Sequence, residues 1–205
     1  MILGDICTRA CKFCNTKTGR PLPPDQEEPL RLAQSINKLQ LKHCVITSVD
    51  RDDLPDGGSS FWAEVIRQVK VVNPGTTIET LIPDFDGREG NLMKIIEAGP
   101  DVISHNIETV RRLTPLIRTK AKYERSLGVL EFIARNGGIA KSGFMVGLGE
   151  EEKEIGEAIN DLFMAGCSIL TIGQYLKPSR SHMEPVEYVV PEKFEKYRKL
   201  ALSKG

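Results

Sequence analysis

Cys7-Thr-Arg-Ala-Cys11-Lys-Phe-Cys14 puts three thiols within eight consecutive positions. Thiolates this close can converge on one metal centre. Three of them suit a cubic iron–sulfur cluster, each holding one iron and leaving the fourth iron without a protein ligand. An open coordination position on a redox cluster is a place where a cofactor or substrate can bind and react. Structural zinc is the competing reading, and it needs four ligands, usually as two pairs. Cys44 opens one strand candidate and Cys167 precedes another, so both belong to the opposite end of the fold and read as small buried hydrophobes. His43 stands beside Cys44 and His182 falls in a late loop, so the histidines form no second pair. Five cysteines are an odd set, and a tight cluster among them points to metal or redox chemistry in a reducing compartment rather than to disulfides.

The elements that must position this loop are short β-branched runs alternating with amphipathic helical stretches. The strand candidates are residues 1–6, 44–49, 77–82, 102–107, 139–146 and 169–175. Trp62, Val65, Ile66 and Val69 mark one helix face, and Ile155, Ala158, Ile159, Leu162 and Phe163 another, at the i, i+3, i+4, i+7 spacing of a core-packed helix. Phe194, Tyr197, Leu200 and Ala201 give the last helix its apolar face, and Gly99, Gly137 and Gly166 mark helix ends. The pattern predicts one α/β domain over residues 1–205, a partial (β/α)6 barrel of the TIM type with parallel strands inside and helices outside. A doubly wound open sheet is the alternative; in both folds ligands sit at the C-terminal ends of the strands, where the cysteine loop begins.

Lys plus Arg and Asp plus Glu both number 28, and this balance argues against coating nucleic acid or binding a membrane surface. Neither a signal peptide nor an apolar run long enough to span a bilayer is expected, which leads to a cytoplasmic assignment.

Strand alternation puts Ser104, Asn106 and Glu108 on one face and Ile103, His105 and Ile107 on the other, so the polar row is expected inside the barrel. Ser48 through Asp53 close the second strand, and Gly57-Gly58 allows close backbone approach to a ligand. Asp50, Asp52 and Asp53 suit equally a solvated, capped loop. Lys141, a cation inside a strand, requires an anion such as Glu108 or a ligand carboxylate. Gly147-Leu-Gly-Glu150 lacks the Gly-Lys-Ser/Thr of a phosphate loop, and Glu150, Glu151 and Glu152 suit the positive end of a helix. Residues 85–88 read as a plain loop.

The Cys-x-x-x-Cys-x-x-Cys loop, with Phe13 before its last cysteine, resembles that of radical S-adenosylmethionine enzymes. More narrowly, Met1–Arg9, Thr18-Gly-Arg-Pro21, Val45–Leu54, Asp56-Gly-Gly58, His105-Asn-Ile-Glu-Thr109, Lys141-Ser-Gly143, Met145–Glu150, Gly173-Gln-Tyr-Leu176 and Pro178-Ser-Arg180 resemble the lipoyl synthase family, in order along nearly the whole chain. The resemblance implies a 4Fe-4S cluster on Cys7, Cys11 and Cys14, and S-adenosyl-L-methionine chelated to its open iron and reductively cleaved to a deoxyadenosyl radical. It implies the insertion of two sulfur atoms into an octanoyl chain on a lysine of a lipoyl carrier domain, either a 2-oxoacid dehydrogenase subunit or a glycine-cleavage H protein. An electron donor such as ferredoxin or flavodoxin would be required, and no nucleic acid or membrane partner. The cofactor-binding residues it suggests are Phe13, Ser48, Asp53, Asn106, Glu108, Lys141, Gly147 and Gln174. Asp53 is favoured among the acids after the second strand, and the Gly147 turn is expected near the adenine. Arg118, Tyr123 and Arg180 also match family positions, though a charged helix face is the default for Arg118 and Tyr123. Family members carry a second, auxiliary 4Fe-4S cluster whose cysteines precede the first barrel strand, together with a C-terminal Arg-Ser-Ser-Tyr segment. Neither is found here, so the chain is expected to be a core able to cleave the cofactor but not to insert sulfur. The alternatives are a different radical S-adenosylmethionine enzyme and a non-catalytic, zinc-stabilised module that docks lipoyl domains.

Overall fold

The structure, a computed structural model, describes residues 1–204. Five parallel strands, β3 (His43–Thr47), β4 (Thr77–Leu81), β5 (Val102–Ser104), β6 (Ala140–Val146) and β7 (Ile169–Gln174), pair in chain order. A doubly wound sheet reverses its order at a switch point. The sequential order seen here is that of an open, partial barrel. Helices α1 (Glu28–Lys38), α2 (Ser59–Val72), α3 (Glu89–Ala98), α4 (Thr114–Ile117), α5 (Tyr123–Arg135), α6 (Glu152–Met164) and α7 (Pro191–Leu202) complete the alternation. Among the described residues, no helix is long and apolar enough to cross a membrane.

The helices form where the apolar spacing directs them. Trp62, Val65, Ile66 and Val69 of α2 are wholly buried, as are Ile155, Ala158, Ile159 and Leu162 of α6. Phe163, assigned to the same α6 face, is 44% exposed. At 3.6 residues per turn, a residue eight positions on from Ile155 has rotated well off the core stripe. On α7, Tyr197 is buried and Leu200 lies at the surface. Gly99 closes α3 in the left-handed conformation, with φ of 74°.

The first strand candidate is cut short. Ile2 makes one parallel bridge to Ser48, and then Leu3 and Gly4, with φ of 66° and 93°, turn the backbone away. Beyond this turn a small parallel pair, β1 (Ile6–Cys7) and β2 (Lys17–Thr18), closes the cysteine loop at its base. The fourth candidate, residues 102–107, is ladder-paired only through Ser104, with an isolated bridge from Glu108 to Phe144 beyond it. Residues 85–88, expected as plain loop, contain a single 3-10 turn, Phe85–Gly87, capped by the Asp84 carboxylate.

Candidate functional site

The cysteine loop is held from three sides. Gly19 donates its N–H to the Cys7 carbonyl, Thr18 its hydroxyl to the Arg9 carbonyl, and Lys12 its N–H to the Ile117 carbonyl at the end of α4. Cys7 is buried, Cys11 half-buried and Cys14 exposed. The Cys7 sulfur accepts the backbone N–H groups of Arg9 at 3.3 Å and Asp50 at 3.4 Å. Burial pushes the Cys7 and Cys11 thiols above their ordinary values, and the Asp50 charge adds to the rise.

All three cysteines open onto one cavity of about 320 Å³ at the C-terminal ends of the strands. Phe13, Ser48, Asn106 and Glu108 are on its wall, as the sequence led one to expect. Ser48 is oriented by Trp62, whose indole N–H donates to its hydroxyl oxygen at 3.1 Å. Glu108 has φ of 67°, and burial holds its carboxyl above the ordinary carboxylate range. His105, 3% exposed, also borders the cavity, with its ring held by the Ile82 carbonyl and the Ser126 hydroxyl.

Four suggested residues are not brought to this cavity. Asp53 is gripped by the two-pronged Arg51 guanidinium at 2.8 Å, and Arg51 is itself fastened to the Leu3 and Leu22 carbonyls. Asp50 reaches the wall instead. Lys141 meets neither Glu108 nor the cavity, because both Glu79 carboxylate oxygens take its ammonium at 2.8 and 2.9 Å. Gly147 and Gln174 form a fastening. The Gln174 amide donates to the Glu187 carbonyl and accepts from Val189 N–H, while Gly147 accepts Val186 N–H. In the same turn, Glu150 accepts the N–H groups of Gly147 and Leu148, which fixes the turn rather than a ligand. Gly57 and Gly58 likewise make room for protein: a Cβ on Gly58 would come within 2.9 Å of the Leu3 side chain, and one on Gly57 within 3.2 Å of Phe85.

Residues that sequence reasoning did not single out complete the site. Arg9, almost wholly buried, binds Asp52 through two 2.8 Å bonds and Asp84 through a third, with Asp50 at 3.2 Å. Arg125 holds the other oxygen of Asp84. Arg118, expected on a helix face, turns inward from the end of α4 and joins the cavity wall. Tyr123 does not line the cavity: its hydroxyl donates to Asp161, and Arg111 lies over its ring. Arg180 is exposed. His182 does come to the cysteine loop, but its Nε2 faces the Cys14 carbonyl and its Nδ1 faces Ser179, which leaves neither nitrogen for a thiol-bound metal.

Zinc and a cluster make different demands on these residues. Among the described residues, no three His, Cys, Asp or Glu groups converge closely enough for a single ion. A cube spreads its thiolates over three irons, so three separated thiols around one cavity fit it and a mononuclear site does not. Deprotonation of two raised thiols is then the work of the cations that bind them. A hollow of about 450 Å³ beneath α7, lined by groups such as Leu162, Leu170 and Phe194, holds one cysteine, Cys167, and no cluster of thiols.

Comparison with known proteins gives a consistent picture. Residues 1–162 match the radical SAM superfamily. The whole chain is 58% identical to the lipoyl synthase of Parabacteroides distasonis, covering 73% of that protein. It is 57% identical to that of Bacteroides thetaiotaomicron, covering 73%, and 56% identical to that of Treponema denticola, covering 71%. Among solved structures, methylornithine synthase superposes on the whole chain with a TM-score of 0.80 at 15% identity; the chain covers 61% of that protein. Streptococcus suis SuiB bound to S-adenosylmethionine gives 0.71 at 10% identity over 98% of the chain and 46% of its own length.

Proposed function

Because this chain belongs to the radical SAM superfamily and, within it, to the lipoyl synthase family, we propose that it serves the insertion of two sulfur atoms into an octanoyl chain on a lysine of a lipoyl carrier domain. The family works with a 4Fe-4S cluster and S-adenosylmethionine. We assign Cys7, Cys11 and Cys14 as the cluster ligands. Held there, the cluster would supply the electron for reductive cleavage of the cofactor. The protein's own part is to hold and enclose. Asn106 and Glu108 present hydrogen-bonding groups from the end of β5 for the cofactor's ribose or amino-acid portion, and Ser48 presents another from β3. Phe13 and the β-strand ends limit the access of water to a reactive intermediate.

The observation that carries this reading is the gathering of three thiols, Asn106 and Glu108 around one cavity at the ligand end of a partial barrel. Cys44 and Cys167 are remote from it, at the starts of β3 and β7. We therefore assign these residues the cofactor-cleaving half of the reaction; a second cluster acting as sulfur source would take its ligands from elsewhere. The carrier is a 2-oxoacid dehydrogenase subunit or a glycine-cleavage H protein, the electron donor a ferredoxin or flavodoxin, and the compartment the cytoplasm.

Iron, sulfide and zinc analysis after anaerobic reconstitution tests the assignment, with electron paramagnetic resonance of the reduced protein before and after adding S-adenosylmethionine. About four irons per chain, the content of one cubic cluster, and a spectrum altered by the cofactor are expected. Cys11→Ala should lose the cluster signal and cofactor cleavage. Zinc without iron would overturn the reading, and about twice the iron of one cube would overturn the assignment of a single cluster.

A further inference from the structure

The segment between β7 and α7, residues 175–190, is a long connection with neither helix nor strand of its own. It is nonetheless fastened along its length. The hydroxyl of Tyr175, a fully buried residue, donates to the Met183 carbonyl at 2.9 Å. The Gly147 carbonyl accepts the Val186 N–H, and the Gln174 amide holds the backbone of Glu187 and Val189. Lys177 pairs with Glu184. These ties carry the segment, as a strap, against the cysteine loop. Strap and loop together enclose a second hollow of about 490 Å³, which shares only Cys11, Cys14 and Thr16 with the cavity at the strand ends.

The loop has least support at Cys14. Two backbone N–H groups hold the Cys7 sulfur, and the pairing of β1 with β2 closes the loop's base. Residues 13–15 lack such ties. The Cys14 N–H turns back to the Cys11 carbonyl, and its exposed sulfur lies 3.2 Å from the Thr16 hydroxyl. Among the described residues, one hydrogen bond joins this stretch to a distant part of the chain: that of His182 Nε2 with the Cys14 carbonyl, at 3.1 Å.

The direction of that bond is forced. A carbonyl can only accept, so Nε2 carries the hydrogen. In the neutral ring Nδ1 then accepts, and the group facing it at 2.7 Å is the Ser179 hydroxyl. Ser179 directs its one hydrogen there and offers lone pairs to the Ser181 hydroxyl at 2.9 Å and the Ser181 N–H at 3.4 Å. Tyr175 meanwhile fixes Met183, the next residue in the chain.

We propose that His182 is a positioning residue that clasps the cysteine loop at Cys14, with Ser179 setting its tautomer and Tyr175 its place. The clasp holds the most exposed of the three thiols where a shared cluster requires it. The inference rests on the reading that Cys7, Cys11 and Cys14 hold that cluster. A stretch already ordered loses less conformational freedom when its ligand binds, and it releases that ligand more slowly.

Hydrogen exchange of the apoprotein, read by mass spectrometry, tests the clasp without the cluster. His182→Ala should speed exchange in residues 12–16 by about fivefold and leave residues 43–47 unchanged. His182→Gln, whose amide nitrogen can donate in place of Nε2, should restore the wild-type rate. His182→Phe, which keeps a ring without a donor, should behave as the alanine variant does. Tyr175→Phe should act in the same direction and add nothing in a His182→Ala background. Nitrogen-15 spectra of the neutral imidazole should show the Nε2–H tautomer. After anaerobic reconstitution, His182→Ala should lose iron to a chelator about five times faster than wild type, and His182→Gln at the wild-type rate. Unchanged exchange in His182→Ala, a His182→Phe that matches His182→Gln, or an Nδ1–H tautomer would overturn the clasp. Equal iron release from an iron-loaded wild type and His182→Ala refutes only its role toward the cluster; a wild type that takes up no iron refutes the functional reading, and that role with it.

Discussion

Replacing Arg9 with Met keeps the length of the stem and removes the charge that three carboxylates share. The Arg9 side chain is 5% exposed and Asp84 0%, so the substitution breaks a buried pair and leaves Asp84 to Arg125 alone, rather than breaking a surface pair. Losses of that kind run to about 3–5 kcal/mol. With a urea slope of about 2–3 kcal/mol per molar, the unfolding midpoint at neutral pH should fall by about 1–2 M. The acid limb gives an independent check. Asp52 is held at about 2, against its ordinary 3.8, by hydrogen bonds to Arg9 and Lys120 that outweigh its burial, and Asp84 is held lower still by the Arg9 contact. A depressed carboxylate contributes stability that is full above its unfolded value and lost as pH falls through the folded one. For Asp52 this amounts to ~2 kcal/mol. Asp50, raised by burial, works against stability when charged and is relieved on protonation. Wild type should therefore lose its advantage over Arg9→Met between about pH 4 and pH 2. A neutral-pH loss below about 1 kcal/mol, the size of an exposed pair, or parallel acid limbs for the two proteins would refute the argument.

Lys141→Met should cost about 3–5 kcal/mol by stranding Glu79, while leaving S-adenosylmethionine affinity unchanged; chemical denaturation and dialysis check the two halves. Gly147→Ala forces a side chain into φ of 99° and puts its Cβ 2.5 Å from the Glu187 carbonyl oxygen. It should cost about 2–4 kcal/mol and speed hydrogen exchange in residues 183–189, read by mass spectrometry. Exchange unchanged there would mean that the Gly147 turn does not hold that segment down.

The parts of this molecule that were legible in the sequence are those governed by local spacing. Three thiols in eight positions admit few kinds of chemistry, and β-branched runs such as His43–Thr47 and Ala140–Val146 fall where alternation puts them. Asn106 and Glu108 were legible from the alternation expected of residues 102–107, although the strand ends at Ser104 and Glu108 turns to φ of 67°. The failures share a different cause. Arg9 and Asp84 are 75 positions apart and Arg9 and Asp52 are 43 apart, so no local pattern reveals that they meet. Asp53 and Asp50 are chemically alike on paper; what separates them is Arg51, whose guanidinium is anchored to two carbonyls and captures one acid while the other turns to the cavity. Lys141 was correctly read as needing an anion, but Glu79 comes from strand β4 across β5, a pairing that only the strand order creates.

The charges on the cavity wall are mismatched in a way that a structural network would not be. The Arg9 group is compensated on every side, whereas no carboxylate pairs directly with Arg118, and burial holds Glu108 above its ordinary range although the Arg118 charge and an Asn106 hydrogen bond oppose the rise. A carboxyl with a raised value imposes a penalty at neutral pH, and the penalty shrinks as pH falls through its folded value and is gone below its unfolded one. Glu108→Gln should therefore stabilise the unliganded protein at pH 7, with the gain shrinking toward acid, and should at the same time weaken binding of S-adenosylmethionine. The cofactor's amino-acid end carries one ammonium and one carboxylate, the complement of an acid and a guanidinium on one cavity wall. If Glu108→Gln instead destabilises the protein at pH 7, the carboxylate is already compensated by the fold, and the cavity does not depend on a ligand to balance its charges.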